Sequence, residues 1–333
     1  MKRILAATFA MFLLISVFAG FSEPNRNWAV SLRRASQAYA GAISAENSET
    51  ADILEIPVYE RYAESLDAAG ASDETEYISS HDYVMTNIYA NSPMSEYIAL
   101  QLVNRSEEFS LKDFPEAADI PALLDALTEA YYQNNANIGG VELNQIMCDF
   151  NTLTLQIPYA LSADEQRLLQ EDIAIEAGSV LSRITTLGMS DYQKAEAINN
   201  YLCESSVYDI DAKADLLNLP SGKIISDTYK YSQTAYGVLI NHRGVCQSYA
   251  EAFKVLANRA GLSSIVVTGV LNGTGPHAWN RVYADGRWFT LDATNNGVTG
   301  DTNKFFNLSA EAAAEYFTED DRYILDSALG LFR

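Results

Sequence analysis

The sequence predicts an α+β fold, in which a mostly helical region precedes a helix and a set of antiparallel strands. Apolar side chains recur at helical spacing between residues 24 and 140, for example in SPMSEYIALQLVNR and PALLDALTEAYYQ. After residue 244, an amphipathic helix pattern is followed by β-branched and aromatic strands around an Asp-Gly turn. A chain of 333 residues that is 48% hydrophobic and 20% charged is also long enough to bury a core.

The first 22 residues have the order of regions found in a secretory signal peptide. Lys2 and Arg3 precede an apolar stretch, and the small residues Ala19 and Gly20 stand near its end. We therefore expect residues 1–22 to be removed, and the protein to be secreted or held at the extracellular face of a bacterial cell. The alternative is an uncleaved membrane anchor, because the stretch is close to spanning length.

The remaining chain is predicted to divide near the polar stretch NNANIGG, at residues 134–140. Residues 23–140 form the mostly helical region, whose role the sequence does not indicate. Residues 141–333 form the second domain, with a strand in FNTLTLQIPYA and two helices that open with capping boxes, Ser162 with Glu165 and Ser190 with Gln193.

The charge and the cysteine content restrict the function classes. Acidic residues outnumber basic ones 44 to 22, and this net charge of −22 disfavours nucleic-acid binding. Of the 3 cysteines, Cys148 and Cys203 could form a disulfide after export or remain ordinary buried thiols.

No metal or cofactor is predicted. The stretch YDIDAKADLLNLP places Asp209, Asp211 and Asp215 at even spacing, as a calcium loop does. However, Lys213 stands at the fifth position and Pro220 where the bidentate glutamate belongs, so an acidic loop is the better interpretation. The histidines also lack zinc-ligand spacing.

Cys246 lies where a helix is about to begin. Apolar residues of Gln247 to Ala260 fall on one helical face, and Gly261 follows as a natural stop. Free backbone N–H groups and the positive end of the helix dipole lower the pKa of a thiol at this position, and they can hold an oxyanion. A small buried residue at a helix start is the alternative.

The Asp285-Gly286 turn predicts which residues of the hairpin share a face. A type I′ turn pairs Ala284 with Arg287 and, counting outward, Trp279 with Asp292. His277 is two residues from Trp279, so it shares a face with Asp292 as its diagonal neighbour.

A nucleophile, a base and an orienting carboxylate are the minimum for covalent acyl transfer. We therefore predict that Cys246 attacks a carbonyl, that His277 transfers protons, and that Asp292 orients the imidazole.

The stretches GVCQSYAEAFKVLANRAGL, VVTGV and HAWNRVYADGRWFTLDAT resemble the core of the transglutaminase-like superfamily, especially its exported bacterial members. The motif core covers residues 233–296. The resemblance implies a papain-related fold, with the cysteine helix packed on an antiparallel sheet, and a Cys246, His277 and Asp292 triad. Many relatives follow the aspartate with Pro-Thr or Thr-Thr-Trp, whereas this chain has Ala293-Thr294-Asn295.

Other residues are weaker candidates. Tyr236 is an oxyanion donor by resemblance, and Gln233 is a second such candidate. Trp279 either walls the cleft or belongs to the core. His242 could compete as the base, but it lacks a placed carboxylate partner.

The function predicted from the sequence is thioester acyl transfer on protein or peptide amides. An amine acceptor gives cross-linking, and water gives deamidation or peptide hydrolysis. The partners are then a glutamine or other amide donor and possible cell-wall or cell-surface components. The alternative is a non-catalytic surface scaffold or binding module that retains the fold.

Overall fold

The N-terminal part of the described chain is a small helical and β unit with its own core. The computed structural model describes residues 88–90, 92–138, 140–141, 146–217 and 228–319. Three short strands pair antiparallel in the order β1-β3-β2. Ile98, Leu102, Leu111 and Leu155 are among the side chains buried between this sheet and the helices. The elements are α1 (Pro93–Val103), β1 (Glu108–Ser110), a 3₁₀ helix (Pro115–Ala118), α2 (Ile120–Ile138), β2 (Met147–Asp149) and β3 (Thr154–Gln156).

This unit extends across the boundary predicted near residue 140. Strand β1 pairs with β3 in the register that places Phe109 opposite Leu155. The side chains of both residues belong to the same core cluster. Hydrogen bonds and apolar packing therefore link the two sides of residue 140. The division into residues 23–140 and 141–333 remains a prediction, and residues 1–22 lie outside the described residues.

Three helices follow, two of them with the predicted caps. Ser162 and Glu165 form a capping box at the start of α3 (Ala163–Ile184), and Ser190 and Gln193 form one at the start of α4 (Asp191–Ser205). Each box satisfies backbone N–H groups that have no partner within the helix. The sequence prediction of both helix starts is confirmed.

The expectation of an acidic loop after residue 208 is wrong, because α5 (Ile210–Leu217) begins there. The Asp209 carboxylate accepts a hydrogen bond from the Ala212 backbone N–H at 2.9 Å, as an N-terminal helix cap does. The same carboxylate pairs with the Arg243 guanidinium at 2.8 Å. The negative charge of Asp209 is therefore balanced by Arg243 and by the start of the helix.

The second core surrounds one helix and a four-stranded antiparallel sheet with the strand order β8-β7-β6-β9. Helix α7 packs against β6 and β7 and buries Tyr249, Phe253 and Leu256. The predicted α+β fold is confirmed. The elements are β4 (Val207–Tyr208), α6 (Ala235–Leu239), β5 (Arg243–Gly244), α7 (Cys246–Arg259), β6 (Ser263–Leu271), β7 (Gly275–Ala284), β8 (Arg287–Leu291), α8 (Ala293–Thr299), α9 (Ala310–Tyr316) and β9 (Phe317–Glu319).

Helix α2 joins the two cores through buried polar contacts. The Gln133 amide donates to the Val266 carbonyl oxygen at 2.8 Å and accepts from the Val266 N–H at 3.1 Å. At Val266, Gln133 thus makes the two main-chain hydrogen bonds that a neighbouring strand would make with β6. Nearby, the buried Lys254 ammonium donates to the Ser264 carbonyl oxygen and lies 3.7 Å from the Tyr89 ring centroid.

The membrane-anchor alternative concerns a segment outside the described residues. Within the ranges that the structure describes, no helix is both long and apolar enough to cross a bilayer.

Candidate active site

Cys246 is the first residue of α7, as the sequence predicts. Val245 is the extended residue before it, and Gly261 ends the helix region with a φ of +84°. The Cys246 side chain is partly buried and packs against Ala250, Val266 and Ala278. The sulfur therefore lies where the start of the helix meets the middle of the sheet.

The hairpin register follows from the predicted turn. Asp285 and Gly286 have φ values of +49° and +87°, the positive pair that a type I′ turn requires. Ala284 pairs with Arg287, and the ladder continues in this register to Asn280 and Leu291.

The ladder ends one pair before the predicted Trp279–Asp292 position. Asp292 instead caps α8, and its carboxylate accepts from the Asn295 N–H at 3.1 Å. The helix starts here because a carboxylate beside free backbone N–H groups satisfies one of them.

His277 and Asp292 are in contact. The His277 Nε2 atom lies 2.6 Å from Asp292 Oδ2, and both side chains are buried. An ionised carboxylate can only accept a hydrogen bond, so Nε2 carries a proton and Nδ1 is left for another partner. Trp279 and Phe317 stack near the imidazole, with centroid distances of 6.2 and 6.3 Å to its ring. The two aromatic side chains therefore restrict the orientation of the His277 ring.

The thiol of Cys246 hydrogen-bonds to His277 and accepts from the Ala278 backbone N–H. Since Nε2 faces Asp292, Nδ1 is the His277 nitrogen available to the sulfur. Burial raises the pKa of Cys246, but the charge of His277 and these hydrogen bonds outweigh it, so the pKa lies below its ordinary value. A lowered thiol pKa is what a cysteine nucleophile requires.

His277 responds in the opposite direction. Burial lowers the pKa of its imidazole, but Asp292, followed by Cys246, raises the pKa to about 10. An imidazolium beside a thiolate is therefore the favoured charge state between the two pKa values.

The other two cysteines show that this environment is specific to Cys246. Cys148 on β2 and Cys203 on α4 are free thiols, so the disulfide alternative is not found. Burial, with smaller contributions from nearby carboxylates, raises the pKa of Cys148 to about 11 and that of Cys203 to about 12. Neither is activated as a nucleophile.

Two residues at this site were missed by the sequence reasoning. Asn295 donates from its amide to Asp292 Oδ2 at 2.5 Å, and the same nitrogen lies 3.1 Å from His277 Nε2. Its position three residues after Asp292, on the first turn of α8, is the signal that was available in the sequence.

Tyr208 is the second missed residue. It pairs with Gly244, two residues before Cys246, in the parallel ladder of β4 and β5. Burial, followed by the negative charges of Cys246 and Asp292, raises the pKa of Tyr208 well above its ordinary value. The phenol therefore stays protonated, within electrostatic range of both groups. Because Tyr208 is far from Cys246 in sequence, no local pattern reveals it.

The remaining predicted residues lie at different distances from this centre. The Tyr236 hydroxyl donates to Asp172 on α3 at 3.3 Å, which directs it away from the oxyanion role expected for it. Gln233 donates to the Gln247 side chain at 3.4 Å, next to Cys246 in sequence. Trp279 is 1% exposed and stacks on Phe317, so its core interpretation is the one supported. His242 is exposed in the loop before β5.

No group of three or more His, Cys, Asp or Glu side chains with a metal-binding arrangement occurs in the part of the chain that the structure describes. The groups that converge on Cys246 are proton carriers and hydrogen-bond donors. The arrangement can therefore form a thiolate, deliver a proton to a leaving group, and stabilise negative charge on an acyl oxygen.

Comparison with known proteins gives the following relationships. Residues 179–293 match the family model described as Transglutaminase-like superfamily. Among curated proteins, the chain is 27% identical to the mouse (Mus musculus) kyphoscoliosis peptidase over 131 residues, and 28% identical to the human (Homo sapiens) one over 151 residues. These alignments cover 36% and 39% of this chain but only 18% and 21% of the relatives. The chain therefore spans about a fifth of the length of these relatives.

Among solved structures, a crystal structure of a TGase aligns with 19% identity and a TM-score of 0.35, covering 56% of this chain and 53% of that chain.

Proposed function

We propose that the protein is an acyl-transfer enzyme that forms a thioester through Cys246, since residues 179–293 match the transglutaminase-like superfamily. One observation carries the proposal. A partly buried cysteine at a helix start hydrogen-bonds to a histidine whose other ring nitrogen lies 2.6 Å from a buried carboxylate. The lowered pKa of the thiol and the raised pKa of the imidazole are the charge arrangement that a cysteine nucleophile needs.

The first half of the reaction uses the ion pair. The Cys246 thiolate attacks the carbonyl carbon of a side-chain or peptide amide, and negative charge develops on the carbonyl oxygen. The proton on Nδ1 of His277 passes to the leaving nitrogen as the carbon–nitrogen bond breaks. An amine or ammonia leaves, and the acyl group remains on the sulfur as a thioester.

The second half regenerates the thiolate. An amine or a water molecule attacks the thioester carbonyl and gives its proton to the now neutral His277. The carbon–sulfur bond breaks, which leaves the imidazolium beside the thiolate again. An amine acceptor produces a new amide bond and therefore cross-linking, whereas water produces deamidation or peptide hydrolysis.

The charge on the acyl oxygen needs donors that do not move during the reaction. The backbone N–H of Cys246, at the first position of α7, has no acceptor within the helix and is one donor. The Tyr208 hydroxyl, whose phenol stays protonated near the sulfur, is the second. Gln233, which reaches the side chain next to Cys246, is a third candidate.

The acceptor and the donor protein are part of the same proposal. The net charge of −22 attracts cationic groups, so a lysine side chain is favoured slightly as the acceptor. Export through residues 1–22 would place the enzyme among secreted or cell-surface proteins. Detection of mature protein outside the cell, with a new N-terminus near residue 22, tests this part of the proposal.

The reaction is tested with β-casein as the glutamine donor and a fluorescent primary amine as the acceptor. Wild-type protein is expected to attach the amine to casein, and Cys246→Ser is expected to abolish the attachment. Cys148→Ser is the matched control, because it changes a free thiol on β2, outside the candidate site. Ammonia release without amine incorporation would identify deamidation, and casein fragments would identify peptide hydrolysis.

The proposal fails if none of these products appears and Cys246 also reacts with iodoacetamide as an ordinary thiol does. That pair of results would favour a binding module that retains the fold without catalysis. An ordinary thiol pKa is about 8.5, so alkylation over a pH series distinguishes the two cases even before a natural substrate is known.

A further inference from the structure

Asn295 occupies an unusual place beside the His277–Asp292 pair. Its side-chain nitrogen lies 2.5 Å from Asp292 Oδ2 and 3.1 Å from His277 Nε2. Asp292 Oδ2 is the same oxygen that accepts the hydrogen bond from His277. The amide therefore lies against the hydrogen bond on which the orientation of the imidazole depends.

The orientation of the Asn295 amide follows from its partner. A carboxylate oxygen accepts hydrogen bonds and cannot donate them, so the amide nitrogen, not the amide oxygen, must face Asp292 Oδ2. The Asn295 backbone N–H donates to the other carboxylate oxygen, Oδ1, at 3.1 Å. One residue thus holds both oxygens of Asp292, which restricts rotation of the carboxylate about its Cβ–Cγ bond.

The backbone around Asn295 is itself fixed. Thr299 donates from its hydroxyl to the Asn295 carbonyl oxygen at 2.7 Å. The adjacent Asn296 is fully buried, donates to Asn199 on α4 at 3.0 Å and accepts from the Phe305 N–H at 2.8 Å. The two neighbouring asparagines therefore differ in their contacts. Asn296 anchors α8 to α4 and to Phe305, whereas Asn295 contacts the His277–Asp292 pair.

We propose that Asn295 is a positioning residue for the reaction, which holds Asp292 in the orientation that accepts from His277 Nε2 and covers this hydrogen bond against water. This inference rests on the proposed function, since it concerns the same site. Asn295 reaches neither the sulfur nor the acyl group in this role, and it acts only through Asp292 and His277.

Asn295 can act in this way only if the hydrogen bond between His277 Nε2 and Asp292 Oδ2 is needed for the ion pair. The other titratable groups that interact with the pair are Cys246 on α7, Cys203 on α4 and Tyr208 on β4. Among these neighbours none is a cation. Asp292 is the largest of the charges that stabilise the imidazolium, ahead of Cys246, and its rotation away from Nε2 or its hydration weakens the ion pair.

Two measurements on Asn295→Ala test the role. The first is the proton NMR signal of the His277 Nε2–H, which a strong hydrogen bond to a carboxylate shifts far downfield, with His277→Ala as the assignment control. We expect its exchange with water to become at least tenfold faster in Asn295→Ala. The second is the rate of Cys246 alkylation by iodoacetamide over a pH series. We expect this rate to fall about tenfold at pH 6, the order of the contribution of one hydrogen bond to a charged group, with its midpoint moved to higher pH.

Control variants separate positioning from a loss of structure. Asn303→Ala removes an exposed amide from the same segment and should change neither measurement. Asn295→Leu keeps the approximate size of the side chain but removes the donor without adding a charge, and should change both in the same direction. Thermal unfolding of each variant shows whether it is folded.

The outcomes distinguish the two proposals. Unchanged proton exchange and an unchanged alkylation profile in a folded Asn295→Ala would overturn the role of Asn295. An ordinary thiol profile in the wild-type protein, with the downfield proton present, would instead contradict the proposed function and leave the hydrogen-bond geometry intact.

Discussion

Replacing Asp292 by Asn tests the charge that stabilises the imidazolium. The substitution keeps the shape of the side chain, and its amide oxygen can still accept from the Asn295 backbone N–H that begins α8. It removes the negative charge 2.6 Å from His277 Nε2. The expected consequence is a loss of the Cys246–His277 ion pair with little change in fold.

The size of the effect follows from the pKa of His277. A rise from 6.5 to about 10 corresponds to roughly 5 kcal/mol in favour of the imidazolium. Asp292 and Cys246 both contribute through charge and through a hydrogen bond. If Asp292 supplies about half, its loss costs roughly 2–3 kcal/mol, or about a 30- to 150-fold smaller population of the ion pair. Asp292 also opposes the thiolate directly, but this is the smallest of the effects on Cys246.

The assay is alkylation of Cys246 by iodoacetamide at pH 6, with the modified peptide identified by mass spectrometry. At this pH an ordinary thiol is almost fully protonated, whereas the ion pair keeps Cys246 reactive. Asp301→Asn, which removes an exposed carboxylate from the same segment, is the matched control. A folded Asp292→Asn protein that is alkylated within threefold of the wild-type rate would refute the reasoning.

Three further predictions, one of them with a control variant, have distinct expected results. Tyr208→Phe should lower turnover about 100-fold, as loss of one oxyanion donor does, while Cys246 alkylation at pH 6 stays near the wild-type rate. A parallel loss of turnover and of alkylation would contradict an oxyanion role. Gln133→Ala leaves both main-chain groups of Val266 without these partners and should lower the free energy of unfolding by about 2–3 kcal/mol. Gln156→Ala, which removes only an exposed contact with Glu108, should change it by about 0.5 kcal/mol or less in the same urea titration. Burial raises the pKa of Glu251 well above 4.5, so the folded protein keeps a proton that the unfolded chain releases, and wild-type stability falls as pH rises above that value. The stability of Glu251→Gln relative to wild type should therefore increase with pH, by up to about 1.4 kcal/mol per pH unit. Urea unfolding of both proteins between pH 4 and 7 measures this difference. A difference independent of pH would show that Glu251 does not retain its proton.

Local chemistry in the sequence predicted much of the structure around Cys246 and the hairpin. Asp285-Gly286 demands positive φ at both positions, and a two-residue turn leaves only one register for the strands it joins. The register then determined which residues lie near one another across the hairpin. The start of α7 at Cys246 followed in the same way from apolar periodicity ahead of a terminal glycine.

What the sequence did not predict depends on contacts between distant segments. Tyr208 approaches Cys246 only because β4 pairs with β5, and two-residue strands carry no periodic signal. The oxyanion role expected for Tyr236 comes from the family resemblance alone, whereas in the structure its hydroxyl binds Asp172 on another helix. The carboxylates after residue 208 favour a loop in the sequence, but in the structure Asp209 pairs with Arg243 and caps the helix that follows.

The pairing of Gln133 with Val266 bears on how this protein can be divided. A fragment that begins after residue 140 keeps every residue named in the reaction but lacks α2. Its β6 strand then presents a bare N–H and carbonyl at Val266 in an otherwise hydrophobic segment, SIVVTGVL. Exposed strand edges of this kind pair with copies of themselves. Helix α2 thus covers main-chain groups of β6 that would otherwise be open to a second strand, and a fragment designed to remain monomeric should begin upstream of α2.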